Sequence, residues 1–182
     1  IGSLERKNIG LFQLGQSLKH YHHLVNQVEE ITVVIKQYVL DRFEREYNLL
    51  IELPGVSAIV ACVILSEIGP NVEAFQSQGN LASWAGVCPG SYESAGIKKS
   101  SHTTQGNKYL KSILFQAGGT AGRSKDEAFH NLYARISGRS SKMKAIIACA
   151  HKMIRVIYKI LSTGEHYDAK KALGLRQQAR AN

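Results

Sequence analysis

Apolar side chains recur at alternating steps of three and four residues from Leu11 to Leu49. Nine of the twelve positions in this series are apolar, namely those at 11, 14, 18, 21, 25, 28, 35, 39 and 49. This spacing is typical of a coiled-coil seam and predicts a helix of about 40 residues, on the order of 60 Å long. One helix cannot bury such a seam alone, so it needs a second copy, a partner domain or a fold back on its own chain. We favour a homodimer or higher oligomer formed through this helix.

A tight corner follows the long helix. Pro54 and Gly55 end that helix, and Ser57 is the predicted N-cap of a short helix that runs to Ile68 and stops at Gly69. This order resembles the helix-hairpin-helix motif, whose hairpin amides grip a DNA phosphate, and it makes Gly55 a candidate phosphate contact. Ser57 stands where that motif usually carries its second glycine. An ordinary helical corner is therefore an equal alternative, packed by three apolar residues, Val60, Val63 and Ile64.

A long segment rich in glycine and serine interrupts the helical pattern between Gly86 and Asn107. It follows a short predicted helix over 80–85, in which we interpret Trp84 as a core anchor rather than a base-stacking platform. The segment ends at a new helix, predicted over 107–121, whose first turn carries Lys108 and Lys111. Free amides at that N-terminus, together with Lys98, Lys99 and Lys108, predict a concavity that binds phosphate. The alternative interpretation is a flexible basic linker.

Two amphipathic helices complete the pattern. Asp126 is the predicted N-cap of a helix that ends at Gly138, and Ser140 begins the next. The apolar stripe of the second helix consists of Met143, Ile146, Ile147, Ala150, Ile154, Ile157 and Leu161. We therefore predict an all-α fold in three parts. These are a coiled-coil helix over 1–52, a compact helical domain with the hairpin corner and the long basic loop over 53–167, and a frayed or disordered basic tail over 168–182.

The composition is that of an ordinary globular chain, with 182 residues of which 44% are apolar and 20% charged. No stretch approaches the about 18 to 20 apolar residues of a membrane span, and no signal peptide opens the chain, so we expect a cytoplasmic protein that does not enter a membrane.

The three cysteines are far apart in sequence and predict reduced thiols. Three histidines of the long helix, His20, His22 and His23, have no cysteine or carboxylate companions, and we expect no metal site there. Because the chain begins at Ile1 without methionine, we expect a piece of a longer protein.

The net charge of +9 is concentrated in the C-terminal part of the chain. Residues 1–85 carry six Lys or Arg against nine Asp or Glu, residues 86–134 carry six against three, and residues 135–182 carry eleven against two. Such an asymmetric positive field attracts polyanions, and it indicates nucleic acid as the partner. A solvated basic face is the alternative.

Several short motifs together resemble the IS110 family of insertion-sequence transposases. The resemblance covers roughly residues 50–162 and lies in five groups of residues: Leu53-Pro54-Gly55 with Glu67-Ile68-Gly69; Phe75; the run from Trp84 to Pro89; Glu93-Ser94-Ala95-Gly96 with Lys98-Lys99-Ser100; and Gly106-Asn107-Lys108-Tyr109-Leu110. The chain departs from the family at four positions where relatives often carry Lys or Arg, namely Ile97, His102, Thr104 and Gln105. Lys111 stands where Arg is common, and lysine lacks the bidentate fork that arginine offers a phosphate. The departures predict fewer phosphate contacts.

The resemblance implies a transposase that pairs a RuvC-like DEDD nuclease domain with a C-terminal serine domain, to which this chain corresponds. It implies that Ser94 is the nucleophile, that a guide RNA encoded by the element takes part, and that Mg²⁺ is held by carboxylates of the other domain. No cofactor is expected in this chain itself, and the full-length protein rather than this piece is expected to act as a DNA recombinase.

A serine nucleophile fits the chemistry, because a hydroxyl that attacks a phosphodiester exchanges one phosphate ester for another without ATP. Lys98 and Lys99 would hold the phosphate, with Lys108 and Arg123 as additional contacts and Lys111 as a point charge. By composition alone three other loop serines are alternatives, namely Ser91, Ser100 and Ser101. Two other functions stay open: a non-catalytic helix-hairpin-helix module that binds nucleic acid, and a coiled-coil scaffold that does not.

Overall fold

The computed structural model describes residues 2–88, 92–94, 97–100, 103 and 105–178. Within these residues it contains seven helices, which confirms the predicted all-α class, and one short antiparallel hairpin that the sequence analysis did not predict. The helices are α1 (Gly2–Ile51), α2 (Ala58–Ile68), α3 (Gln78–Trp84), α4 (Lys108–Arg123), α5 (Glu127–Ser137), α6 (Lys142–Thr163) and α7 (Ala169–Gln178). The strands are β1 (Tyr92–Ser94) and β2 (Ile97–Ser100). The chain divides into two compact units, Ile1–Tyr38 and Val39–Asn182.

The first unit consists of the N-terminal part of α1, which confirms the predicted long helix. The seam residues Leu11, Leu14, Leu18 and Val28 are exposed. Thr32 is accommodated in the helix because its hydroxyl donates to the carbonyl of Val28, 2.6 Å away. The seam is helical as predicted, and its apolar residues are left in contact with solvent.

The last turns of α1 belong to the second unit, because Val39, Tyr47 and Leu50 are buried in its core. The helical path is interrupted at Phe43, whose φ of −138° and ψ of 35° are not helical. The boundary between the units thus falls earlier than the one expected after residue 52.

The core of the second unit is centred on the packing of α4 against α6. Gly118 permits a close approach of these helices, since a Cβ there would lie 2.7 Å from the backbone nitrogen of Ala150. Around this contact Leu114, Phe129 and Ile157 are fully buried. The small residue on the contact face of α4 thus lets the backbones of α4 and α6 approach closely, and larger side chains fill the space on either side of this contact.

The helix ends follow local rules, as the sequence analysis expected. Ser57 caps α2, with its hydroxyl accepting from the Val60 amide, and Gly69 ends α2 with a φ of 78°. Asp126 caps α5 by accepting from Phe129 at 3.1 Å. The cap of α6 is Ser141 rather than Ser140.

The predicted stripe of α6 is confirmed in its centre and wrong at its start. Ala150, Ile154 and Ile157 are fully buried. Met143 is 58% exposed, because the whole segment 138–144 lies on the surface. A periodic pattern identifies the apolar face of a helix but not how far the neighbouring helices extend along it.

The predicted tail contains a helix, so the expectation that it is frayed or disordered is wrong for α7. Asp168 accepts from the amides of Lys170 and Lys171 at the start of this helix. Ala172 is 3% exposed and belongs to the core, and α7 contacts α5. A cap and one buried alanine stabilise a segment whose composition alone is typical of irregular structure.

Candidate functional site

The nucleophile predicted by the resemblance lies on the hairpin. Ser94 ends β1 and is the register partner of Ile97, the first residue of β2. The preceding pair in the register joins Glu93 and Lys98, and Lys99 lies at a bulge opposite the step from 92 to 93. The backbone thus brings position 94 close to both predicted phosphate-binding lysines. The side chains of these residues, and the whole of Ser91 and Ser101, lie outside the described residues.

The two ends of the segment that carries the hairpin meet at a close glycine contact. A Cβ at Gly106 would lie 2.6 Å from both the Gly86 α-carbon and the Trp84 carbonyl oxygen. Gly86 adopts a φ of 71°, which favours glycine. The Asn107 amide then donates to the carbonyl of Trp84 at 3.0 Å. The chain that enters the hairpin segment and the chain that leaves it are therefore joined by backbone contacts. We call this contact of Trp84 and Gly86 with Gly106 and Asn107 the hairpin base.

Asn107 connects this base to α4 and α2. Its side-chain oxygen accepts from the amides of Tyr109 and Leu110, both at 3.0 Å, and so caps α4. Its side-chain amide donates to the carboxylate of Glu67 on α2. The sequence analysis predicted free amides at this helix end, and for these two amides that prediction is wrong, since the cap already satisfies them.

The first turn of α4 carries two cations beside the hairpin base. Lys108 is exposed, and its Nζ lies 4.8 Å from the ring centroid of Tyr109. Lys111 is half-buried, with its Nζ 6.0 Å from the ring centroid of Phe115. Residues three apart on a helix are neighbours, so both charges lie on the same end of α4.

Arg123 lies at the opposite end of α4 from Lys108. At about 1.5 Å per residue the two positions are separated by roughly 22 Å along the helix axis. Arg123 is exposed and extends back along its own helix towards Gly119. The fold thus places Lys108 and Lys111 at the end of α4 that adjoins the hairpin base and leaves Arg123 at the other end.

Gly55 has a packing role at the corner between α1 and α2. Its φ is 84°, and a Cβ there would lie 2.9 Å from the backbone nitrogen of Ala121 and closer still to the Ala117 carbonyl oxygen. The neighbouring amide of Val56 donates to the Leu53 carbonyl at 3.0 Å, so it is already satisfied. One side of the corner is thus occupied by α4.

Comparison with known proteins places these elements in a family. A family described as "Transposase IS116/IS110/IS902 family" matches residues 47–134. A putative transposase of Sinorhizobium fredii is 30% identical over 157 residues, which make up 82% of this chain and 39% of that protein. The pilin gene-inverting protein of Moraxella bovis is 30% identical over 127 residues, 68% of this chain and 39% of that protein. The transposase for insertion sequence element IS1328 of Yersinia enterocolitica is 24% identical over 150 residues, 80% of this chain and 44% of that protein.

The chain belongs to the IS116/IS110/IS902 transposase family. It spans about two fifths of the length of these relatives. The residues of the chain that match the family include the corner at Gly55, both strands of the hairpin, the Asn107 cap and all of α4. The elements that meet at the hairpin base are therefore the ones that carry the family match.

Trp84 lies beside the hairpin base at the surface of the chain. Its side chain is 39% exposed, and its ring packs on Phe75 with centroids 5.3 Å apart. The interpretation of Trp84 as a core anchor is therefore wrong. The buried residues of α3 are Leu81 and Ala82, because the single apolar face of so short a helix is already filled by them.

A second group of basic side chains, which was not predicted from the sequence, lines a cavity between α5, α6 and α7. The group consists of Arg135, His151, Lys152 and Arg155. Burial lowers the pKa of His151, and the charge of Arg155 lowers it further. Burial also lowers the pKa of Lys152, against the opposing effect of Asp126. The only signal in the sequence was the placement of 151, 152 and 155 within about one turn of α6.

The remaining candidate chemistry of the chain is limited. Cys62 and Cys149 are buried and Cys88 is half-buried, and all three are reduced thiols, which confirms the prediction of reduced cysteines. Burial raises the pKa of Cys149 to about 11, so it stays a thiol at neutral pH. Over the part of the chain that the structure describes, no three His, Cys, Asp or Glu residues are grouped as metal ligands. None of the described helices is both long and apolar enough to span a membrane.

Proposed function

We propose that this chain is the DNA-handling domain of an insertion-sequence transposase and that its hairpin presents Ser94 as the nucleophile of strand exchange. The observation that carries the proposal is the backbone register, which puts Ser94 beside Lys98 and Lys99 on a hairpin with a fixed base. The family match over 47–134 supports a role in transposition. A strand pair with a fixed base suits a residue that must be held in position to attack a phosphate.

The proposed reaction conserves phosphate esters. The Ser94 oxygen forms a bond to a DNA phosphorus, the bond from that phosphorus to a DNA sugar oxygen breaks, and the serine proton passes to the leaving oxygen. In the second step a DNA hydroxyl attacks the phosphoserine and releases the serine. Each step exchanges one ester for another, so ATP is not needed.

The nearby lysines would position the phosphate for this attack. Lys98 and Lys99 are on the same hairpin as Ser94, and Lys108 and Lys111 are at the α4 end that adjoins the hairpin base. Their charges offset the negative charge that develops on the phosphate oxygens. Arg123, roughly 22 Å away along α4, would meet a phosphate about six base pairs further along the duplex. Gly55 could add an amide contact at the corner besides its packing role.

The rest of the active centre is proposed to lie outside this chain. The family resemblance implies Mg²⁺, and the described residues gather no set of three or more ligands for it. We place Mg²⁺ on carboxylates of a RuvC-like nuclease domain, where the ion would lower the pKa of a hydroxyl and offset charge. We also infer that a guide RNA selects the DNA and that this chain alone is inactive.

The exposed seam of α1 supports self-association. Leu14, Leu18, Tyr21 and Val28 repeat at coiled-coil spacing and are all more than half exposed. A second copy offers the same spacing and would bury both seams together. We therefore propose a homodimer or higher oligomer, which would also bring two hairpins to two DNA strands.

The test uses the full-length transposase that contains this chain. Ser94→Ala is expected to abolish strand exchange and to leave DNA affinity within about threefold of the parent protein, since it removes one hydroxyl and no charge. Ser100→Ala, on the opposite strand of the hairpin, is the matched control and should retain strand exchange. A nicked DNA substrate that prevents the second step should trap a DNA adduct on the parent protein and on Ser100→Ala only.

Two outcomes would overturn the proposal. Normal strand exchange by Ser94→Ala would remove the serine from the reaction and favour the non-catalytic helix-hairpin-helix module. A DNA affinity that does not fall with added salt would exclude phosphate contacts and favour the coiled-coil scaffold, because each neutralised phosphate adds about 0.9 to the slope of log affinity against log salt.

A further inference from the structure

We propose that the cavity between α5, α6 and α7 binds a backbone phosphate of a nucleic-acid strand, held by Arg135, His151, Lys152 and Arg155. The inference rests on the proposed function and adds a second contact region to it. The cavity residues lie outside the segment 47–134 that matches the family.

The cavity is a concentrated positive site. It has a volume of about 360 Å³, and the side chains that line it include four basic groups and no carboxylate. The carboxylate that acts on this group from outside the lining is Asp126, whose charge opposes the lowering of the Lys152 pKa. Asp126 already caps α5 and accepts from the hydroxyl of Tyr167 at 3.0 Å. Its charge is thus shared among donors elsewhere, and the cavity retains an excess of positive charge.

Arg135 supplies the observation that points to a ligand. Its Nε atom is buried and has no hydrogen-bond partner among the described residues. A buried donor without an acceptor costs about 1 to 3 kcal/mol, more when it is charged, so such groups are rare in folded proteins. Arg135 lines the cavity, and its planar guanidinium can offer two parallel donors to one phosphate there.

The other cations are held in place by contacts that leave their charge intact. Lys152 Nζ donates to the Ala128 carbonyl at 2.8 Å and lies 5.5 Å from the Phe129 ring centroid. Arg155 Nε donates to Gln78 at 3.2 Å. An ammonium has three donors and a guanidinium has five, so each side chain is fixed by one hydrogen bond and keeps others for an anion. Prepositioned cations of this kind bind an anion with little loss of side-chain entropy.

The surroundings favour a nucleic-acid strand over a free anion. Lys144, Lys159 and Lys170 are exposed on α6 and α7, the helices that form two walls of the cavity, and add positive charge outside it. The cavity also has apolar walls, formed by Ala128, Leu132, Ala148, Ala172 and Leu173. Its volume is at the lower end of the about 300 to 1,000 Å³ of small-molecule sites, which suits one nucleotide unit.

The experiment compares Arg135→Gln with Arg139→Gln in the full-length protein. Both variants lose one guanidinium, but Arg139 is exposed in the turn after α5 and does not line the cavity. The probes are a 30-nucleotide single strand of DNA and the same sequence in RNA, measured by fluorescence anisotropy over a salt series. Arg135→Gln is expected to weaken strand binding about tenfold and to reduce the salt slope by about one. Arg139→Gln should change the affinity less than threefold.

A stability measurement separates lost binding from lost folding. Replacing Arg135 removes the desolvation cost of its buried Nε atom, so Arg135→Gln should have a thermal midpoint equal to or above that of the free parent protein. Equal affinities for Arg135→Gln and Arg139→Gln would overturn the proposal, and so would a loss of binding accompanied by a lower midpoint. Thermal stabilisation by inorganic phosphate or adenosine monophosphate that depends on Arg135, with unchanged strand affinity, would also overturn it in favour of a free anion.

The two proposals fail separately. Binding is measured with Ser94 intact, so normal strand binding by Arg135→Gln would disprove the cavity site and would not affect the proposed serine reaction. Conversely, normal strand exchange by Ser94→Ala would show that Ser94 is not the nucleophile. The cavity would then belong to a non-catalytic module that binds nucleic acid.

Discussion

The side-chain amide of Asn107 donates to the carboxylate of Glu67, a residue 40 positions earlier in the chain. The same asparagine caps α4 through its side-chain oxygen. One residue therefore fixes the start of α4, the returning end of the hairpin segment and the C-terminal end of α2. Because Asn107 adjoins Gly106, we expect a substitution of Asn107 to disturb the hairpin base and therefore the position of Ser94.

Asn107→Ala should lower the free energy of unfolding by about 1 to 2 kcal/mol, since it removes the cap of α4 and leaves Glu67 without this donor. Asn107→Ser keeps a capping oxygen and loses the link to Glu67, so it should recover about half of that loss. Urea unfolding of the chain followed by circular dichroism measures both. Asn48→Ala, at an exposed position of α1, is the control and should stay within about 0.5 kcal/mol of the parent.

Gly55→Ala should destabilise the chain by at least about 2 kcal/mol, because its φ of 84° is unfavourable for alanine and the new Cβ would overlap the α4 backbone. Gly79→Ala is a matched control, since Gly79 is within α3 and its Cβ would meet only the Ser77 hydroxyl at 3.6 Å. It should be neutral or stabilising by up to about 1 kcal/mol. Equal thermal midpoints for the two variants would contradict the packing role of Gly55. Weakened DNA binding by Gly55 variants therefore needs a folding control before it is read as a lost phosphate contact.

Local signals in the sequence were sufficient to predict many of the helices and several of their ends. Caps such as Ser57 and Asp126 act within one turn, so they can be read from neighbouring residues. The strands β1 and β2 gave no such signal, because three or four residues are too few to establish an alternating pattern. The contact of Gly86 with Gly106 and the hydrogen bond from Asn107 to Trp84, all distant in sequence, close the segment.

The candidate site was predicted from family motifs more than from pattern. The motifs predicted Ser94, and the basic composition of the loop predicted Lys98 and Lys99, but no local rule indicates how far Arg123 lies from them. The cavity with Arg135 depends on how α5, α6 and α7 pack, and α7 itself was not expected. Sites built by tertiary packing of three helices leave no periodic trace in the sequence.

Gly106→Ala should impair strand exchange by the full-length transposase about 100-fold, because the added methyl group would push Gly86 away and displace the hairpin by about 1 Å. DNA affinity should change much less, since no charge is removed. Gly10→Ala places its methyl group where nothing lies within 4 Å and should keep normal activity. Full activity of Gly106→Ala would mean that the hairpin position does not depend on this contact.

The free energy of unfolding should decrease as the pH falls below 6.5, in part because of His151. Burial, with a smaller effect from Arg155, lowers the pKa of His151 in the folded chain below its ordinary value of 6.5. The unfolded chain therefore binds more protons in this range, and the stability present above pH 6.5 is lost on acidification, by at most about 1.4 kcal/mol per pH unit. His151→Gln should show a smaller loss between pH 7 and pH 5 in urea unfolding. The lowered pKa of Glu52 acts below 4.5, outside this window.

His130→Gln is the control for that titration, because His130 is an exposed residue of α5. It should retain the pH dependence of the parent chain. If His151→Gln and the parent lose the same stability between pH 7 and pH 5, His151 does not titrate with folding, and the cavity would have to be more open to solvent than its contacts indicate.

Self-association through α1 can be tested with two valines of equal size and similar exposure. Val28 is 62% exposed on the coiled-coil seam, and Val33 is 67% exposed five residues later, about 140° around the helix. Val28→Lys should weaken association of the full-length protein at least tenfold, because each copy loses an apolar contact of about 1.5 kcal/mol or more and gains a charge at the seam. Val33→Lys adds the same charge away from the seam and should leave association unchanged. Sedimentation equilibrium measures both, and equal effects of the two substitutions would show that the seam does not carry the interface.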